Sequence, residues 1–172
     1  MRYLKTLESL TEDKEELDQF KETIKMIFVD LIDEGFSPQI LLQQRVKSNN
    51  RKSDTIVSNF TYPLRLTTRI ADSYNQCNVV YIRLVRYKGD DNDNFFARSV
   101  QNNKSEEFKN KITDCFETLL SLLDRRWNGA KIEKIVRQDA VTNNDTHFHE
   151  LDEKIWSRDF VSIGITIVKE EV

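Results

Sequence analysis

From Ser105 to Gly129 the apolar residues recur at steps of three and four: Phe108, Ile112, Cys115, Phe116, Leu119, Leu122, Leu123 and Trp127. That spacing predicts a helix with one wide buried stripe. Ser105 is placed to accept the first backbone donors, and Glu106 and Glu107 suit the positive end of the helix dipole. Arg125 and Arg126 suit the other end, and Asn128-Gly129 supplies a left-handed stop. A second helix is predicted from near Thr11 to Glu34, with acidic residues at its start and the stripe Leu17, Phe20, Ile24, Ile27, Phe28 and Leu31. Gly35 ends it, Phe36 folds back on the last turn, and Pro38 prevents continuation.

Alternation takes over elsewhere. Residues 39–47 place Ile40, Leu42 and Val46 on one face. A polar loop at 48–54 leads to a run from Thr55 to Ile70, in which Pro63 predicts an edge or a bend. Cys77 to Tyr87 sets Val80, Ile82 and Leu84 against Tyr81, Arg83 and Val85. Lys131 to Arg137 reads as a short strand, and 139–157 as irregular with a helical turn at 151–156. Phe160 to Val168 aligns Val161, Ile163, Ile165 and Ile167, a central strand. The expected class is therefore α+β. Its order is α-β-β-β-α-β-β, with two amphipathic helices packed on one face of a mostly antiparallel sheet. The whole chain, 1–172, reads as a single domain, with 1–10 a flexible lead-in.

The two helices also repeat one another. Phe20-Lys21, Ile24, Phe28, Leu31 and Ile32 return as Phe108-Lys109, Ile112, Phe116, Leu119 and Leu120, each 88 positions later. Duplication of an α-β-β unit explains this, as does convergence of amphipathic patterns.

Charge changes the picture more than composition does. The net charge of −3 conceals five basic and ten acidic side chains in 1–36, nine basic and two acidic in 37–88, and twelve basic and seventeen acidic in the remainder. Such an acidic–basic–acidic layout favours complementary contacts with a partner or with copies of the same chain. Strands that merely carry Arg and Lys on a solvated face would give the same count. The partner-facing candidates are Arg45, Lys47, Arg51, Lys52, Arg65, Arg69, Arg83 and Arg86. To them are added Phe95 and Phe96, two adjacent aromatics in the long polar loop 88–104.

Candidate chemistry is sparse. His147-x-His149-Glu150 puts two imidazoles on one side of a strand without a companion ligand pair. Asp90-Asp91-Asn92-Asp93-Asn94 suggests a cation loop, but Phe95 and Gln101 stand where such a loop needs Gly and Glu. Asp30, Asp33 and Glu34 read as the wet face of a helix. No phosphate cradle, nucleophile elbow or zincin motif occurs. The expectation is a non-enzymatic chain with no cofactor and no metal. Cys77 and Cys115 read as buried and reduced, which favours the cytosol. The amino-terminal residues lack a secretory core, and no stretch approaches a membrane span. The basic segment 45–88, with Phe60, Tyr62, Tyr81 and Tyr87, offers the alternative of nucleic-acid binding by aromatic stacking and phosphate contacts.

The opening Met1-Arg2-Tyr3-Leu4-Lys5-Thr6-Leu7-Glu8-Ser9 resembles the start of many small open reading frames in large tailed-bacteriophage genomes. The order helix, three strands, helix, strands is similar to that of tail-completion and tail-terminator proteins of the phage neck. The likeness lies in element order and carries over no residue-level motif. It implies a structural ring subunit working through protein–protein contacts, by self-association or with other phage structural proteins. It also implies a location in the host cytoplasm during assembly and then in the virion.

Overall fold

The computed structural model describes residues 2–47, 66–86 and 106–170. The first helix, α1, runs from Arg2 to Ile27 and so begins well before Thr11. It does not continue to Glu34. The chain tightens at Phe28, whose amide donates to the Lys25 carbonyl at 3.1 Å, and resumes as the short α2, Val29–Asp33. The tighter turn keeps Phe28 and Leu31 both on the inner side, where each is fully buried. Gly35, at φ 88°, takes the left-handed conformation that lets the chain reverse.

The strands are β1 (Phe36–Lys47), β2 (Leu66–Ile70), β3 (Val79–Arg86), β4 (Ala130–Asp139), β5 (Asp145–Phe148) and β6 (Phe160–Lys169). The long helix α3, Glu106–Trp127, lies between β3 and β4 in the chain. Phe36 starts β1, where its ring meets Phe108 at 5.3 Å and Phe160 at 5.9 Å, instead of folding onto the preceding helix. Of the expected run from Thr55, residues 55–65 lie outside the described residues, as does the loop 88–104. β5 corrects the reading of 139–157 as strandless. It is only four residues long and rich in Asp, Thr and His, so it carries little apolar alternation.

All six strands are antiparallel, in the order β2-β1-β3-β6-β4-β5. Each half repeats one plan. The first, α1 with β1, β2 and β3, sets β1 between β2 and β3. The second, α3 with β4, β5 and β6, sets β4 between β5 and β6. The halves meet through β3 and β6, so the repeated unit is α-β-β-β, one strand longer than expected. The row Ile40, Ile82, Ile165, Ile135 crosses the centre with the same residue on the four middle strands, and Ile82, Ile165 and Ile135 are completely buried.

These isoleucines, with Val80, Leu84, Ile163 and Ile167, form one sheet face. The helices cover it with Phe20, Ile24, Phe28, Leu31, Phe108, Ile112, Phe116, Leu119 and Leu123. Phe28 and Phe116 join the helices edge-on at 5.6 Å. The α3 stripe is buried as its spacing requires, except that Leu122 is half-buried. Asn128 (φ 55°) and Gly129 (φ 132°) end α3, and the Gly129 amide returns to the Asp124 carbonyl at 3.1 Å. β6 is central, as its uninterrupted apolar run predicts. No helix among the described residues is long and apolar enough to cross a membrane.

Candidate functional site: the uncovered sheet face

Strand parity decides what the opposite face shows. Where Ile40, Ile82, Ile165 and Ile135 point to the helices, their neighbours point away. One outward row is Leu41, Tyr81, Thr166, Lys134, and the next is Gln39, Arg83, Gly164, Val136, His147. All of these but Gln39, together with Arg45, Thr68, Glu133, Asp145 and Ser162, line a shallow groove of ≈ 610 Å³.

Three arrangements organise the groove. At its middle, Tyr81 lies across β6. A Cβ built on Gly164 would stand 2.8 Å from the tyrosine Oη and 3.2 Å from its ring, so only glycine lets the ring lie there. At one end, Arg45 on β1 reaches over β3 and β6 to Glu133 on β4. Nη1 donates to Oε1 at 2.6 Å and Nη2 to Oε2 at 2.7 Å. Glu133 can face Arg45 because β4 bulges between Ile132 and Lys134. This bar crosses the row Gln43, Val79, Val168, Lys131, in which both valines are buried although no helix among the described residues covers them. The hydrogen bond from Arg45 holds the Glu133 carboxyl below its ordinary value, and the carboxylate raises Arg45. Asn78 braces the bar: its side chain accepts from the Arg45 amide at 2.7 Å and donates to the Arg45 carbonyl at 3.0 Å. At the other end, Arg83 donates to Ser162 Oγ and to Gln138 Oε1, at 3.2 Å each.

Of the candidates named from sequence, the structure brings Arg45 and Arg83 to this face. Arg69 lies on the other side of β2, donating to Gln44 at 2.7 Å. Arg86 is a correction. It is buried on the helix side with its guanidinium 5.7 Å from the rings of both Phe36 and Phe160, where burial lowers its pKa and Asp159 partly restores it. Two-residue parity along β3 should have separated it from Tyr81 and Arg83. The backbone of Lys47 ends β1. Arg51, Lys52, Arg65, Phe95 and Phe96 lie outside the described residues, as do Phe60, Tyr62, Tyr87 and Asp90 to Asn94.

Other candidates have structural surroundings. His147 is exposed on the uncovered face and His149 is exposed beyond the end of β5. Among the described residues no three His, Cys, Asp or Glu side chains gather as a metal site. Cys77 and Cys115 are buried and form no disulfide. Burial pushes each thiol up to about 11, and Cys115 Sγ donates to the Ile27 carbonyl at 3.2 Å. A separate hollow of ≈ 450 Å³ lies beside Trp156, lined by Lys109, Asp139, Thr142 and Arg158. Its wall is braced by the buried pair Arg137–Asp139 at 2.6 Å, and Arg137 also donates to the carbonyls of Lys154 and Ile155.

The residues that sequence reasoning missed are Gly164, Glu133, Lys134 and Gln138. The small and polar parity of Ser162, Gly164 and Thr166 was a readable signal for β6. The bulge that turns Glu133 had none. Compared with known protein families, with curated proteins and with solved structures, the chain shows no match.

Proposed function

We propose that this chain is a non-enzymatic assembly subunit acting through protein–protein contacts, of the kind found at the neck or tail end of tailed phages. The observation that carries this reading is the sheet face that no helix among the described residues covers. One side of the sheet is sealed by helices, while the other presents Leu41 and Ile70 exposed, Ile70 at 68%. Around them stand groups able to make directional hydrogen bonds, an arrangement suited to a protein partner with a polar rim. Arg45 and Arg83 are both held within the chain, which stiffens the face, and the pairing of Arg45 with Glu133 reduces the positive charge available to phosphate. The likeness in element order to tail-completion proteins agrees with this reading.

A second reading, nucleic-acid binding, is favoured by one observation: Tyr81 laid over Gly164, beside Arg83 and Lys134, offers an aromatic ring and cations of the kind that stack bases. The acidic helix layer and the carboxylates of Glu133 and Asp145 weigh against it.

The test follows a tagged chain in cells producing phage particles. It should co-sediment with particles or their neck-bearing intermediates, and Ile70→Glu should release it. A chain that stays unassociated in every gradient fraction overturns the reading. Binding to a single-stranded oligonucleotide that falls steeply with added salt would instead favour the second one.

A further inference from the structure

The helix layer carries an exposed apolar stripe of its own. Met26 is 67% exposed, and Val29 and Ile32 are nearly half exposed. They follow one another at three-residue steps around the corner where α1 gives way to α2. Their charged neighbours are Glu22, Lys25, Asp30 and Asp33, and Lys25 is bound to Glu22 at 2.6 Å. The stripe is therefore an exposed apolar corner with an acidic rim, which Lys111, bound to Glu34 at 2.9 Å and near Asp30, balances only in part.

The opposite sheet face is its counterpart in charge. Leu41 and Ile70 lie on neighbouring strands, with Ile70 directly opposite Gln43 and Leu41 two residues from it. The groove beside them holds Arg45, Arg83 and Lys134, with Lys131 on the same face, against Glu133 and Asp145. It is a largely polar groove with a basic balance, flanked by two exposed apolar side chains. We infer that the Met26–Val29–Ile32 corner of one copy seats in the Leu41–Ile70 groove of a second copy, with Asp30 and Asp33 meeting Arg83 and Lys134. The inference rests on the assembly reading above and names its partner. Because the two patches differ and lie on opposite sides of the molecule, the contact is heterologous: each copy gives a corner and receives one. Opposed charges set the orientation, and the apolar residues supply the buried area.

Two exposed-site variants test this. Ile70→Glu places an acid beside the groove, and Met26→Lys places a base on the corner. Circular dichroism and thermal melting confirm that each remains folded. Sedimentation of the untouched protein at low salt should show mass rising with concentration, and added salt should reduce that rise. Each variant alone should stay monomeric. Mixed one to one, they should form a heterodimer and stop there, since the mixture retains one intact corner and one intact groove. Untouched protein that is monomeric throughout overturns the inference, as does a mixture that stays monomeric. If Met26→Lys associates as well as the untouched chain while Ile70→Glu does not, the corner is not the occupant and this inference fails. The assembly reading would survive that result, because the groove would still be an interface, and particle co-sedimentation reports on it separately.

Discussion

Arg137 and Arg45 each pair with a carboxylate, yet their surroundings give the pairs different weights. Arg137 and Asp139 are both nearly inaccessible, and the guanidinium also ties the 3-10 turn Glu153–Trp156 to β4. Removing one partner would strand the other charge away from water. Arg137→Ala is therefore expected to cost about 3–5 kcal/mol in chemical denaturation. Arg45→Ala, on the wetter face, should cost closer to about 1 kcal/mol. Equal losses would show that burial does not set the ranking. The Arg45 pair also has a pH signature. The Glu133 carboxyl is held below its ordinary value in the folded chain. Its contribution is therefore present above the unfolded value of about 4.3 and is lost as pH falls through the lower, folded one. The stability gap between the untouched chain and Glu133→Gln should be constant near neutrality and close on acidification. A gap that instead widens toward acid would contradict the assignment.

At the scale of elements, α3 shows how far periodicity reaches. Its cap residues, stripe and stop are all local, and the observed bounds Glu106–Trp127 fall inside the expected span. Leu119 lies at the middle of that stripe and is fully buried. Leu119→Ala should lose about 2–5 kcal/mol, read from the shift in denaturation midpoint at unchanged slope. A loss near zero would mean the stripe faces elsewhere. α1 was less legible. Its break at Phe28 occurs inside a continuous apolar pattern, because the break places one ring against Phe116 on another element. β5 was illegible for the opposite reason: it is an edge strand with one neighbour, held by its ladder to β4 and not by an apolar face. Ile70 shows the same limit. Alternation placed it with the core, but β2 lies at the sheet edge and turns it outward.

For the whole molecule, the sequence by itself determined the α+β class, the two amphipathic helices, the central place of β6 and the inward faces of β3. Each of these depends on residues two, three or four positions apart, and such spacings impose a face on any regular backbone. It also held the segregation of charge, though not its meaning. Only the tertiary structure decided that the halves repeat as α-β-β-β about the β3–β6 pair, and that Arg86 turns inward while Arg45 and Arg83 share the uncovered face. It alone brought Glu133 to Arg45 and Gly164 beneath Tyr81. Those contacts join residues 88 and 83 positions apart. Strand order and one bulge set them, and both follow from the packing of the entire sheet, which no local spacing records.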